Sequence, residues 1–147
     1  MSTKTQKGRH KKNIPPPEYF TESLDRVKTK DLVSKAKANA QIFHDAEIKT
    51  NQIRNFYGAA EKIKKKYIKN GKTEQAAVDV KPDLWLLLPQ LAYTEGRSRS
   101  TSRFCRSMKN AVEKVLDSHV SSPDRALDNF FIYVESVVAY HKFYVDK

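Results

Sequence analysis

Turn-forming residues are scarce in this sequence, and that scarcity constrains the fold more than any other feature. Beyond residue 17 the prolines are Pro82, Pro89 and Pro123, and the glycines are Gly58, Gly71 and Gly96. A β-domain needs turn signals at short, regular intervals, so breakers this sparse favour helices. The apolar residues agree. Leu32, Val33, Ala36, Ala40, Phe43 and Ala46 predict a first helix over about 30–48, with Asp31 near its cap. Ile53, Phe56, Tyr57, Ala60, Ile63 and Tyr67 form a second stripe, with Thr50 or Asn51 as cap and Gly71 as stop. A short helix is expected near Thr73, and another after Pro82, a favoured first-turn residue.

Within that helix Asp83–Leu88 is apolar nearly all round, which predicts a place at the centre of the core. Pro89 should kink or break it. A fifth segment runs from a Ser98–Ser102 cap region through Phe104, Met108, Ala111, Val112, Val115 and Leu116. Ser122-Pro123-Asp124 then starts a last helix carrying Leu127, Phe130, Phe131, Val134, Val137, Val138 and His141. The expected class is all-α, a compact bundle of about five helices. Residues 1–17 read as a disordered basic arm ending in Pro15-Pro16-Pro17, and 18–147 as a single helical-bundle domain.

A chain of 147 residues suits one domain and is too short for a barrel enzyme. The apolar run Leu84–Leu88 falls far short of the ~18–20 residues of a membrane span. No apolar h-region marks the N-terminus as a signal peptide, and the lone Cys105 cannot form an internal disulfide. A cytoplasmic protein with no membrane partner is expected.

The net charge of +11 is unevenly spread. Residues 1–13 hold five cations and no acid, 48–72 sum to +7, and 94–110 sum to +4, while 113–147 sum to −2. Concentrated positive patches favour a polyanionic partner, because neutralising phosphates releases counterions. Stepping 100° per residue from Ile53 puts Arg54, Lys62, Lys65 and Lys69 on one strip beside the apolar face. At ~1.5 Å rise per residue this strip is about 22 Å long, enough to follow successive phosphates of one strand. A merely solubilising lysine face is the alternative, but Glu61 is the one acid among the charged residues of 48–72.

The second patch, Gly96–Arg103, separates Arg97, Arg99 and Arg103 with small hydroxyl residues at a predicted helix start. No base-reading array is visible, so recognition of backbone and shape is expected. His10, His44, His119, His141 and Cys105 lack metal-ligand spacing, the glycines are isolated, and the carboxylates Asp124, Asp128 and Glu135 suit a cap and a solvated face. Neither a catalytic centre, a metal nor a cofactor is expected. His141 reads as a core histidine, and Cys105 as a packing residue despite Arg103 and Arg106 nearby. From the residues alone, a stand-alone helical, nucleoid-type nucleic-acid-binding protein remains an alternative.

Three stretches occur in order: Gln52–Tyr57, Leu88–Tyr93 with Gly96-Arg97, and Phe130–Glu135 through Ala139-Tyr140-His141-Lys142. Over about 48–144 they resemble the small subunit of type III-A CRISPR effector (Csm) complexes. Where that family usually carries a basic residue after the motif proline, this chain has Gln90. The resemblance implies a non-catalytic helical subunit of an antiviral ribonucleoprotein, its copies stacking along guide and target RNA without reading sequence. Single-stranded DNA is a further candidate ligand, and other effector subunits are implied partners. By matching position, Arg54 and Arg97 are the implied RNA contacts. Lys62, Lys65, Lys69, Arg99 and Arg103 come from charge alone, and Tyr140 and His141 read as structural.

Overall fold

The computed structural model describes residues 13–147, which form five long helices, one short one and two 3-10 turns, with no strand among the described residues. The helices are α1 (Thr29–Asp45), α2 (Thr50–Lys69), α3 (Glu74–Asp79), α4 (Lys81–Arg97), α5 (Ser102–Val115) and α6 (Pro123–Val145). The all-α expectation is met. The longest helix, α6, is the hub: it packs on α1, α2, α3, α5 and the 3-10 turn Leu24–Arg26. Its Phe130, Tyr133, Val134 and Val137 are fully buried among Phe43, Phe56, Phe104 and Met108. Edge-on ring contacts such as Phe43–Phe104, with centroids 5.4 Å apart, fill this centre.

Two helices end in the same motif. After α2, Lys72 N–H donates to the Tyr67 carbonyl and Gly71 N–H to that of Ile68, at 3.1 and 3.0 Å. Gly71 takes the left-handed φ of 97° that this closure requires, so it is the stop its position predicted. After α1, Ile48 and Glu47 make the equivalent bonds to Phe43 and His44, with Glu47 at φ 61°. That turn ends α1 at Asp45, before the expected residue 48. The starts follow backbone geometry more than capping side chains. Lys49, not Thr50 or Asn51, occupies the N-cap of α2, without a side-chain bond. Ser122 is the N-cap of α6, but its hydroxyl donates to Asp124 and does not accept from a helix N–H. At α3, by contrast, Thr73 Oγ1 accepts from Ala76 N–H at 3.1 Å.

The placement of α4 overturns one expectation. Leu84, Leu87 and Leu91 are buried, but Trp85 and Leu86 are 57% and 59% exposed. The helix lies at the margin, chiefly against α5, so only the stripe at three- and four-residue spacing finds a partner. Pro89 does not break it: α4 runs unbroken from Lys81 to Arg97, with the proline on the exposed side.

Of the arm expected over 1–17, residues 1–12 lie outside the described residues. Residues 13–17 lie against the bundle, with Pro17 buried. Arg103 of α5 donates to the carbonyls of Pro15 and Ile14 at 3.1 and 2.7 Å. The strap continues through side-chain amides. Asn39 pairs with both backbone groups of Glu18, Asn110 with both of Phe20, and Asn129 donates to Leu24 and Val27. These side-chain amides, Asn39 and Asn129 buried among them, satisfy backbone groups of a segment that has little helix or sheet of its own. Asn39 also donates to the Tyr133 hydroxyl at 2.8 Å, and that hydroxyl lies 2.8 Å from Ser107 Oγ. Burial pushes the Tyr133 hydroxyl up to about 12, so it stays protonated within this network.

Candidate nucleic-acid interface

The outer sides of α2 and α4 face each other across a groove. Its larger section, about 600 Å³, is walled by Arg54, Asn55, Lys62 and Lys66 of α2 and by Asp83, Leu86, Leu87 and Gln90 of α4. Gly58 also lines it, and a Cβ added there would meet nothing within 4 Å. Asn55 also borders a second section of about 430 Å³, lined by Gln52, Tyr93, Thr94, Arg97 and Ser98. Between them, Phe56, Leu91 and Phe104 rise from the core to form an apolar base. The groove therefore has a hydrophobic bottom and walls carrying amides, hydroxyls and cations.

Arg54, Lys62 and Arg97 meet along this groove, although 43 positions separate Arg54 from Arg97. Lys65 and Lys69 are exposed on the same helix but do not line the groove. Arg99 is exposed in the 3-10 turn Arg99–Thr101, two residues beyond Arg97. Arg103 is turned elsewhere, its guanidinium committed to the Ile14 and Pro15 carbonyls. It holds the chain's own backbone and sits beside a different hollow, with Pro16, Pro17 and Arg106.

The groove's charge is cleaner than the sequence sums suggest. Glu95 accepts from Arg106 at 3.0 Å, and Asp83 accepts from Lys66 at 3.1 Å. On the opposite side of α2, Lys64 pairs with Glu135 of α6 and lies over the Phe131 ring. Its hydrogen bond to Glu135 outweighs burial and raises the Lys64 pKa, keeping it charged. Glu135 is thus an ion-pair partner, where a solvated face was expected. Lys64 and Lys66 belong partly to tertiary pairs, so the +7 of residues 48–72 overstates the charge open to a ligand.

Sequence reasoning missed Gln52, Asn55 and Tyr93 as groove residues; Lys66 falls just beyond the basic strip read from helical angle, and Ser98 lies in the second basic patch. A signal was present: Gln52, Asn55, Ala59, Lys62 and Lys66 recur at three- and four-residue steps, as do Leu86, Gln90, Tyr93 and Arg97. Each is a second stripe flanking the buried one, and the two stripes face each other.

Two buried titratable groups lie in the core, away from the groove. His141 is 2% exposed with Nε2 3.2 Å from the Ile48 carbonyl, and its ring faces His44 at 6.4 Å. Burial lowers its pKa, as fits the core role expected for it. Cys105 is buried against Thr101, and burial pushes its thiol up, away from reactivity. Among the described residues no group of three or more His, Cys, Asp or Glu side chains is placed to hold a metal ion. No described helix is long and apolar enough to cross a membrane.

Fold and groove together define a small all-α bundle with one cationic, amide-lined face. The family model Csm2 Type III-A matches residues 26–147, spanning all six helices. This chain belongs to that family, and is a subunit of type III-A CRISPR (Csm) complexes that associates with the other Csm subunits. The match reaches further than the motifs over 48–144, since it takes in α1 as well. No curated protein and no solved structure matches the chain.

Proposed function

We propose that this subunit is non-catalytic and binds the sugar–phosphate backbone of guide or target RNA in the groove between α2 and α4. One observation carries the reading: Arg54, Lys62 and Arg97, far apart in sequence, line a single groove whose neighbouring acids are engaged by other cations. Arginine forks can grip phosphates with paired donors, and lysines supply mobile point charges. Lys65 and Lys69, exposed on α2, and Arg99, exposed two residues beyond Arg97, extend its positive field to a longer strand. Copies of the subunit stack along the RNA, each covering a few nucleotides. Family membership favours this over the stand-alone nucleoid-type protein, which would need no partner subunits.

The experiment is a salt titration of single-stranded RNA binding by fluorescence anisotropy. With three to five phosphates neutralised, affinity falls ~20- to 100-fold between 50 and 200 mM salt. Base sequence has little effect. An affinity flat across that range would overturn the proposal, and degradation of the RNA by purified protein would overturn its non-catalytic part.

A further inference from the structure

Tyr93 stands out among the exposed aromatic side chains. It leaves 67% of its surface in solvent, on a helix whose other face is buried. The Arg97 guanidinium lies 6.0 Å from its ring centroid, and no other ring among the described residues packs against it. Beside it opens the smaller section of the groove, about 430 Å³, within the range of small-ligand sites. Gln52 and Asn55 on the facing wall have side-chain amides without a hydrogen-bond partner among the described residues. An open π-face, two idle amides and a guanidinium share one concavity, and each matches part of a nucleotide.

From this juxtaposition we infer that Tyr93 is a stacking platform for one unpaired nucleobase, with Arg97 and Ser98 taking the adjoining phosphate and Gln52 and Asn55 facing the base edge. The inference rests on the RNA reading above and deepens it: this end of the groove takes single-stranded nucleic acid and discriminates against a paired base. Stacking tolerates any sequence, because every base has a π-face. The other exposed apolar residues of α4, Trp85 and Leu86, lie about two turns back along the helix, roughly 12 Å away. They do not share the polar cavity.

The test compares a short single-stranded RNA with an abasic sugar–phosphate strand of equal length, using the full chain and its Tyr93→Ala and Tyr93→Phe variants. Wild type binds the base-bearing strand ~5- to 100-fold more tightly than the abasic one. Tyr93→Phe keeps that gap, whereas Tyr93→Ala closes most of it and leaves abasic binding unchanged. A gap that survives in Tyr93→Ala overturns the inference. So does a change in sedimentation of Tyr93→Ala with no change in the gap, which would reassign the ring to protein contact. Failure of the RNA reading itself looks different: wild type then binds both strands weakly and without salt dependence.

Discussion

Lys66 donates to Asp83 at 3.1 Å across one end of the groove, tying α2 to α4 through side chains 17 positions apart. Both partners are partly exposed, so the pair contributes little to stability, about 0–1 kcal/mol. Its larger effect is on the groove's field, since Asp83 is the anion lining the larger section. Asp83→Asn should leave the helical circular dichroism signal unchanged. RNA affinity at low salt should rise by about two- to fivefold, the scale of one such screened charge interaction. Anisotropy titrations at 50 mM salt check this.

Arg103 should separate structure from binding. Its guanidinium holds the Ile14 and Pro15 carbonyls, so Arg103→Ala loses two charge-assisted hydrogen bonds, partly exposed, worth together about 1–2 kcal/mol. Urea unfolding should show that loss, and limited proteolysis should cut sooner near residues 13–20. RNA affinity should change by less than about twofold, as Arg103 lies outside the groove.

The two glycines of α2 and its end should respond with opposite sign. Gly71 sits at φ 97°, and a Cβ there meets Thr73 only at an ordinary 3.8 Å, so the cost of Gly71→Ala is conformational. A loss of about 1–2 kcal/mol is expected. Gly58 is helical with open space around its missing Cβ, so Gly58→Ala should stabilise by about 0.5–1 kcal/mol. Chemical unfolding of both variants decides the matter.

Stability should fall in acid in two stages. Burial lowers the folded-state pKa of His141 below its ordinary 6.5, so the unfolded chain takes up that proton first. The neutral histidine's contribution is full above about 6.5 and is lost as pH falls through the folded-state value. Asp25 follows at lower pH. Burial alone would raise its pKa, but hydrogen bonds from the Ser121 and Ser122 backbone and the Ser121 hydroxyl hold it below 3.8. Its contribution is present above 3.8 and lost as pH falls through the lowered value. Urea unfolding from pH 8 to pH 3 measures both, and His141→Gln should flatten the first stage whatever its own stability.

The helices were legible in the sequence because their signals are local. Gly71 at the end of α2, Thr73 before α3 and Ser122-Pro123 before α6 act within a few residues. What stayed hidden depends on distant partners. Leu84–Leu88 reads as core from hydrophobicity alone, yet which side of a helix is covered depends on where neighbouring helices lie, and α4 sits at the margin. Arg103 reads as a phosphate ligand beside Arg97 and Arg99, but its acceptors are 88 and 89 positions away in sequence. Lys64 and Lys66 count as free charge in a segment sum until Glu135 and Asp83 are folded against them. Motif position points to Arg54 and Arg97, helical angle to Arg54 and Lys62, and the arginine-rich patch to Arg97. The groove that joins them needs the packing of α2 beside α4.

The central claim is that Arg54 and Arg97 act on one RNA strand in one groove, and the salt dependence of binding tests it most directly. Removing two phosphate contacts should lower the steepness of the log-affinity against log-salt plot by about 1.4, at ~0.7 per contact on a single strand. Arg54→Ala with Arg97→Ala should therefore bind RNA more weakly and with a shallower slope than wild type, with unchanged helical content. A double variant that keeps both the wild-type affinity and the wild-type slope would contradict the account.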